Sequence, residues 1–88
     1  MVIFTAAANV NGASIRTASL VSGNIAEGRL QADWPDGTHR VLLDVNTETG
    51  SGSSVSLPYP LLLPPGVGLS FGTVGSNPSE VFVTYDLH

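Results

Sequence analysis

Residues 57–72 read LPYPLLLPPGVGLSFG, and this stretch sets the problem that the chain poses for folding. Four prolines, at positions 58, 60, 64 and 65, surround an apolar run of three leucines. Proline removes a backbone hydrogen-bond donor and fixes φ, so prolines belong at sheet edges and in the connections between strands. Residues 61–69, LLLPPGVGL, therefore predict a strand, a rigid turn and a second strand. Pro58 and Pro60 mark a sheet edge or a crossing between sheets.

The chain is short, and none of the usual devices that stabilise a small fold is visible in it. Its 88 residues predict one domain, and a chain of this size buries only roughly 60 to 65% of its unfolded surface. It has no cysteine, which excludes disulfides and thiolate metal sites and leaves the redox compartment open. It has two histidines, so we expect no structural zinc site and no cofactor. Association with other chains is the remaining stabiliser.

The charge balance excludes several kinds of partner. Three arginines and no lysine stand against seven acidic residues, which gives a net charge of −4. The basic stripe that neutralises phosphates is missing, so we expect no binding to nucleic acid or to an anionic membrane. Charged residues make up 11% of the chain, against about 25% in typical globular proteins. A surface with so few charges tends to associate, which favours a subunit of a larger assembly.

Targeting and membrane-spanning segments are not visible in the sequence. No run reaches the roughly 18 consecutive apolar residues of a membrane helix. The start, MVIFTAAANVNG, lacks the basic region of a signal peptide. We interpret Met1 as the native start of a short gene product.

Period-two alternation between turn residues runs through most of the chain, without a helical stripe of apolar residues. It predicts short strands at residues 2–7, 14–21, 25–34, 39–45, 55–57, 59–63, 67–73 and 81–87. A tight turn is expected at residues 35–37. The link at 46–54, NTETGSGSS, is expected to be a surface loop or one ordered only by a neighbour. The fold class is all-β: a small β-sandwich or jelly roll of about eight antiparallel strands.

The same alternation assigns faces within the longer strands. In the second strand it separates Ile15, Thr17 and Ser19 from Arg16, Ala18 and Leu20. In the third strand it separates Ala26, Leu30, Ala32 and Trp34 from Glu27, Arg29, Gln31 and Asp33. In the fourth it places Val41, Leu43 and Val45 together. In the seventh, Gly68, Ser70 and Gly72 alternate with larger residues, and small residues there suggest the close approach of another backbone.

The order of three segments resembles a known group of proteins. A short strand ending in IRTASL, an apolar LLLPPGVGLSF hairpin and a terminal VFVTYDL strand resemble the small jelly-roll proteins encoded among virion genes of tailed bacteriophages. These include capsid decoration or cement proteins and head or tail accessory proteins. The resemblance covers most of the chain and implies a homo-oligomer, often a trimer, on a capsid or tail surface.

Apolar residues at two strands suggest an assembly interface. Val2, Ile3 and Phe4 show no alternation, so both faces of that strand are expected to be covered, one of them by a neighbouring subunit. Phe82 lies opposite the core-facing residues of its strand and would contribute to an exposed apolar patch. The alternative is that Phe4 and Phe82 cap the core at its ends. The predicted interface residues are Val2, Ile3, Phe4, Leu61, Leu62, Pro64, Pro65 and Phe82.

Residue types that carry chemistry are present but not in catalytic or metal-binding patterns. DWPDG, at residues 33–37, lacks the alternating ligand spacing of a calcium loop, so turn formation is preferred over a metal site built from Asp33, Asp36, Asp44 and Glu48. No nucleophile elbow surrounds the candidates for a hydrolytic triad, Ser14, Ser19, Ser51, His39 and Asp44. GSGSS, at residues 50–54, lacks the lysine and the helix of a phosphate loop. We expect no metal site and no enzymatic activity.

Two aromatic residues suggest a second kind of function. Trp34 and Tyr59, beside Asp33 and Asp36, would form a stacking platform for a sugar ring, since carbohydrate sites combine aromatic faces with polar groups. With one tryptophan in the chain, a core anchor is the preferred interpretation of Trp34. His39 is a candidate pH switch, and His88 is expected to be solvated.

These observations favour a structural virion component that stabilises a phage particle through subunit contacts. The chain would be a capsid decoration (cement) protein or a head or tail accessory protein, assembled in the host cytoplasm. A homotrimer is expected, with the major capsid or tail protein as partner. The alternative is a glycan- or receptor-binding β-module on a phage spike or fibre.

Overall fold

The computed structural model describes residues 1–23, 26–47, 52–75 and 79–88, which form eight strands in two antiparallel sheets. The strands are β1 (Val2–Phe4), β2 (Ala13–Ser22), β3 (Ala26–Asp33), β4 (His39–Asn46), β5 (Ser53–Ser56), β6 (Leu61–Leu63), β7 (Gly68–Gly75) and β8 (Ser79–Leu87). The prediction of a small all-β sandwich is confirmed. These ranges contain no helix with the length and apolarity needed to cross a membrane.

The two sheets are assembled from strands that are distant in the chain. Sheet A has the strand order β1-β7-β3-β4. In sheet B, β8 runs along one side of β2, while β5 and β6 share the other side, beside residues 19–22 and 13–15 of β2. Among the described strands, only β3 and β4 are neighbours both in the chain and in a sheet. Most connections therefore cross from one sheet to the other.

The core lies between the sheets and is made of aliphatic and aromatic side chains from both. Its largest fully buried apolar residues are Ile15, Leu20, Leu30, Val67 and Leu69. Burying one such side chain contributes about 1.5–3 kcal/mol. Partly buried side chains from the ends and edges pack around this centre, among them Ile3, Trp34, Leu61, Val81 and Val83.

Two β-bulges change the faces that strict alternation predicts. In β2 the pairing with β8 shifts between Ile15 and Thr17, so Ala18 and Leu20 join Ile15 in the core. The predicted grouping of Ile15 with Thr17 and Ser19 was therefore wrong. A bulge inserts one extra residue, here Arg16, and so moves every later side chain to the other face.

The second bulge lies in β4. Leu43 pairs with Leu30 and Val41 pairs with the next residue of β3, Gln31, which leaves Leu42 as the extra residue. Leu42 packs against the core, and Val41 points outward with 47% of its surface exposed. The prediction that Val41 shares a face with Leu43 and Val45 was therefore wrong, for the same reason.

The proline-rich stretch crosses between the sheets at Pro64 and Pro65, while Pro58 and Pro60 lie in the connection between β5 and β6 at one side of sheet B. β6 pairs with β2 in sheet B, whereas β7 pairs with β1 and β3 in sheet A. The predicted order of strand, turn and strand is confirmed, but the segment is not a hairpin. Gly66 ends the turn with φ at +82°, a conformation that favours glycine. Pro64 and Pro65 cannot donate hydrogen bonds, so the turn depends on partners from elsewhere in the chain.

Asn9 supplies those partners from a site with 1% exposure. Its side-chain Nδ2 donates to the carbonyls of Pro64 and Val67, each at 2.9 Å. Its main-chain carbonyl accepts the N–H of Gly66 at 2.8 Å. The chain turns at residues 5–8 to bring Asn9 there, with the N–H of Ala8 donating to the Thr5 carbonyl. The first strand therefore ends at Phe4. The prediction that it extends to residue 7 was wrong.

Other strand boundaries also differ from the prediction. β5 begins at Ser53, inside the link predicted for residues 46–54. Tyr59 lies in a bend before β6 and not in a strand. Ile25, Glu48 and Ser51 lie outside the described residues.

The glycines of β7 differ in what surrounds them. A Cβ on Gly68 would lie 3.0 Å from the backbone nitrogen of Ala6 and 3.1 Å from the carbonyl oxygen of Phe4. A Cβ on Gly72 would meet no atom within 4 Å. The predicted close approach of another backbone is therefore confirmed at Gly68 and wrong at Gly72.

This contrast predicts opposite effects for one substitution at two sites. Gly68→Ala is expected to lower the free energy of unfolding by about 1–3 kcal/mol, because the methyl group would press on backbone that cannot rotate away. Gly72→Ala, on the same strand and the same face, is expected to leave it unchanged or raise it by up to about 1 kcal/mol, since alanine restricts the unfolded chain. Urea unfolding of both variants tests this, and an equal loss in both would contradict it.

Candidate functional site

The outer face of sheet A carries a hydrogen-bonded network centred on Asp33. Its Oδ1 lies 2.7 Å from His39 Nδ1 and accepts a bond of 2.9 Å from Gln31 Nε2. Its Oδ2 accepts the Ser70 hydroxyl at 2.6 Å. Burial opposes ionisation of Asp33, but the bonds from Ser70, His39 and Gln31 outweigh it and lower the pKa of the carboxyl.

A second cluster of charged side chains lies further along the same face. Arg29 Nε is 3.2 Å from a Glu27 carboxylate oxygen and 3.9 Å from an Asp44 oxygen. The hydrogen bond from Arg29 lowers the pKa of Glu27. Burial, together with the neighbouring Glu27 carboxylate, raises the pKa of Asp44. The outer face of sheet A thus carries a cluster in which Arg29 pairs with two carboxylates.

These groups do not form a nucleophile–base relay. Ser70 and His39 both contact Asp33, so the carboxylate lies between the hydroxyl and the imidazole. A relay needs the base beside the nucleophile and the acid behind the base.

Of the predicted triad residues, Ser19 lies on β2 beside Phe82 of β8, and Asp44 pairs with Arg29. Ser51 lies outside the described residues. Ser14 Oγ is 2.6 Å from Nε2 of the exposed His88. No carboxylate of the described chain orients the other nitrogen of that ring. The predicted triad residues therefore do not converge.

The carboxylates named as calcium ligands are separated in the same way. Asp33 is hydrogen-bonded within the network described above, and Asp44 lies beside Arg29. Asp36 accepts the Thr38 N–H at 2.9 Å within the turn, and that bond lowers its pKa. Within the described ranges, no three His, Asp or Glu side chains come together as a candidate metal site. Glu48 lies outside those ranges.

A cavity opens at the tip of the β3–β4 hairpin. The turn at residues 35–37 is confirmed: Gly37 has φ at +90° and donates its N–H to the Trp34 carbonyl at 3.1 Å. The Arg40 guanidinium carbon lies 5.8 Å from the centre of the Trp34 ring. The cavity holds about 280 Å³ and is lined by Trp34, Asp36, Thr38 and Arg40. Arg40 forms no ion pair with a described carboxylate.

The predicted sugar platform is therefore brought together only in part. Trp34 and Asp36 line the same cavity, while Trp34 also packs against the core, as its preferred interpretation required. Tyr59, 64% exposed, and Asp33 do not line it. Thr38 and Arg40 complete the site and were missed, although a hairpin turn at 35–37 places the residues after the turn beside Trp34.

The outer face of sheet B has a different chemistry. Phe82 is 54% exposed and lies beside Ser19, which lies beside Ser56. The next pair is Thr17 and Thr84, whose hydroxyls are 2.7 Å apart. Charges stand at the two ends of this face, Glu80 at one and the Asp86–Arg16 ion pair, at 3.4 Å, at the other. We call the uncharged centre, Thr17, Ser19, Ser56, Phe82 and Thr84, the sheet B outer face.

The predicted interface residues do not lie on one surface. Leu62, 78% exposed, points to the same side of sheet B as Phe82. Val2, 63% exposed, lies on sheet A, and Pro64 and Pro65 are exposed in the turn. Ile3 and Leu61 are half-buried against the chain's own core.

The two phenylalanines of the interface prediction lie in contrasting places. Phe4 is 6% exposed, with its ring 4.9 Å from that of Tyr85. It is a core residue, as the alternative proposed, and its side chain has no free face for a partner. Phe82, in contrast, faces away from the core.

Comparisons with known proteins return no family model, no curated protein and no solved structure that matches this chain.

The Asp33 network predicts a dependence of stability on pH. Because the pKa of Asp33 is lowered from 3.8, its ionised form stabilises the fold. That contribution is complete above about pH 4 and is lost as the pH falls through the lowered value. Asp33→Asn is expected to cost about 1 kcal/mol at neutral pH and to flatten the acid side of the stability profile.

The control for Asp33→Asn is Glu80→Gln, which removes an exposed carboxylate outside the network. Urea unfolding of both variants across the pH range measures the effect. An unchanged acid profile in Asp33→Asn would show that the network does not stabilise the fold.

Proposed function

We propose that this protein is a structural subunit that acts through protein contacts of the sheet B outer face, without catalysis or cofactor. The observation that carries the proposal is the exposed Phe82 on the part of this face that carries no charged side chain. On the opposite side of the molecule, the outer face of sheet A carries the ion pairs of Arg29 with Glu27 and Asp44. The two faces therefore differ in the free energy that it costs to remove them from water.

The energetic argument favours sheet B as the contact surface. Burying a hydroxyl that can be hydrogen-bonded costs far less than burying an ionised carboxylate or guanidinium. Interface centres are depleted in charge and enriched in aromatic residues, and a few such residues carry most of the binding free energy. Phe82 is the aromatic residue of the sheet B outer face, and Glu80 and the Asp86–Arg16 pair lie at the two ends of that face.

The particle to which the subunit belongs is proposed from the resemblance to small virion proteins of tailed phages. A decoration (cement) protein or a head or tail accessory protein would use such a face against the major capsid or tail protein and against further copies of itself. The low content of charged residues, 11%, supports a surface that is covered in the assembled state. The absence of cysteine means that such contacts would not depend on disulfides.

Phe82→Ser tests the contact surface. We expect the apparent dissociation constant of the assembly to rise by about 30-fold, because truncating an interface anchor costs about 2 kcal/mol or more. Light scattering coupled to size exclusion, over a range of concentrations, measures it. The matched control is Val74→Ser, which removes an exposed side chain, 60% exposed, from sheet A and should leave the mass unchanged.

The assignment to a particle needs a separate measurement. Wild-type protein should co-sediment with purified virions of the phage that carries the gene, and Phe82→Ser should bind less than Val74→Ser. A wild-type chain that stays monomeric at all concentrations and does not co-sediment would contradict the proposal.

A second candidate function, glycan binding, is favoured by the cavity at the hairpin tip. Trp34 offers an aromatic surface, Asp36 an acceptor and Arg40 a donor without a carboxylate partner in the described chain. Carbohydrate sites combine such groups in a concave surface. The site would serve a module on a spike or fibre.

Because Trp34 is the one tryptophan, its fluorescence reports on this cavity directly. If the cavity binds glycans, neutral or carboxylate-bearing monosaccharides should change the emission saturably at roughly millimolar concentration, as expected for weak binding. Arg40→Gln should abolish the change, and Arg16→Gln, on sheet B, should not. An emission that does not respond to any sugar would remove this candidate.

A further inference from the structure

β8 is a long edge strand with one free side. Its nine residues pair with β2, and no described strand lies on its other side. The backbone N–H and C=O groups along a free edge are a template for another strand.

The other edge strands of the sandwich have features that block pairing with another chain, and β8 has fewer of them. β1 has three residues and a shift in its pairing, and β5 and β6 have four and three residues. β4 contains the bulge at Leu42 and carries the exposed His39 and Arg40. Short strands, bulges and basic residues are the devices that block edge-to-edge pairing. β8 contains no proline, lysine or arginine, and its two charged residues, Glu80 and Asp86, lie near its ends. The bulge opposite it lies in β2.

We propose that β8 pairs antiparallel with β8 of a second copy about a two-fold axis, which joins sheet B of the two subunits into one continuous sheet. The proposal rests on the proposed function and names the partner that this edge takes. Main-chain hydrogen bonds supply the affinity in such strand addition, and the side chains opposite one another select the register.

The side chains of β8 reduce the registers that a second copy can adopt. Residues opposite each other lie on the same face, so Glu80, Phe82, Thr84 and Asp86 can oppose only one another, and Val81, Val83 and Tyr85 likewise. A register centred on Val83 sets Glu80 against Asp86, and like charges directly opposite are destabilising. A register centred on Thr84 sets Phe82 against Asp86, an aromatic ring against a carboxylate.

A register centred on Phe82 avoids both conflicts. Phe82 then faces Phe82 of the second copy, and such aromatic pairs stabilise a sheet. Val81 faces Val83 of the second copy on the inner side, where both side chains are half-buried and already pack against the core. Glu80 faces Thr84, so no like charges lie directly opposite each other. We assign this register to the contact.

The absence of cysteine from the chain allows the register to be measured by cross-linking. Phe82→Cys places two thiols opposite each other across the axis, within about 4.5–5.5 Å between Cβ atoms. Thr84→Cys lies on the same face, but its thiol would be offset by four residues from its copy, about 13 Å along the strand. Val74→Cys, exposed on sheet A, measures random collision.

We expect Phe82→Cys to form disulfide-linked dimers at least about tenfold faster than the other two variants under mild oxidation, with all three at one protein concentration above the dissociation constant measured for Phe82→Ser. Circular dichroism confirms that each variant is folded. Hydrogen exchange of the wild-type chain provides a check without substitution, because amides of β8 should become more protected as concentration rises. Equal rates in the three variants, faster cross-linking of Thr84→Cys, or exchange independent of concentration would overturn the assignment.

The outcomes also separate this inference from the proposed function. A stable trimer, or co-sedimentation with virions, without preferential cross-linking at residue 82 would overturn the β8 pairing and leave the structural role standing. A monomer that neither assembles nor co-sediments would overturn both.

Discussion

The crossing between the sheets at Pro64–Val67 depends on one buried side chain, Asn9. Two adjacent prolines give a stiff turn but provide no N–H groups, so the turn cannot hold itself in place with backbone bonds alone. Asn9 contributes three hydrogen bonds to it, two from its amide and one to its carbonyl. Leaving such buried groups unpaired costs about 1–3 kcal/mol each. The short β1 and the turn at residues 5–8 are explained by the need to place this residue.

Crossings of this kind determine which surfaces remain free. Because most consecutive strands lie in different sheets, β2 is enclosed by β5, β6 and β8, and β8 is left as a long edge. The same arrangement places the ion pairs of Glu27, Arg29 and Asp44 on one outer face and Phe82 on the other. The chain of 88 residues thus has one outer face with ion pairs and one with an uncharged centre beside the β8 edge, and the second is the surface that we propose for contact.

Parts of the candidate sites could be predicted from the sequence, and others could not. The turn around Asp36 and Gly37 could be predicted because its residue types are typical of tight turns. The position of Trp34 beside the turn follows from the hairpin. Alternation also placed Phe82 on the side of its strand away from the core. Phe4, in contrast, precedes a turn of the chain, and its ring contacts that of Tyr85, a residue at the far end of the sequence. The role of Arg40 depends on which carboxylates reach it.

The sequence by itself determined the fold class, the approximate positions of the strands, the turn at residues 35–37 and core residues such as Leu30 and Leu69. These follow from local rules, the two-residue period of a strand and the φ preferences of proline and glycine. Only the tertiary structure decided the bulges at Arg16 and Leu42, the crossing at Pro64 and the buried role of Asn9. Each depends on strand pairings between distant residues. A bulge inverts the local period, and a polar residue such as Asn9 is buried only when a distant turn needs its hydrogen bonds.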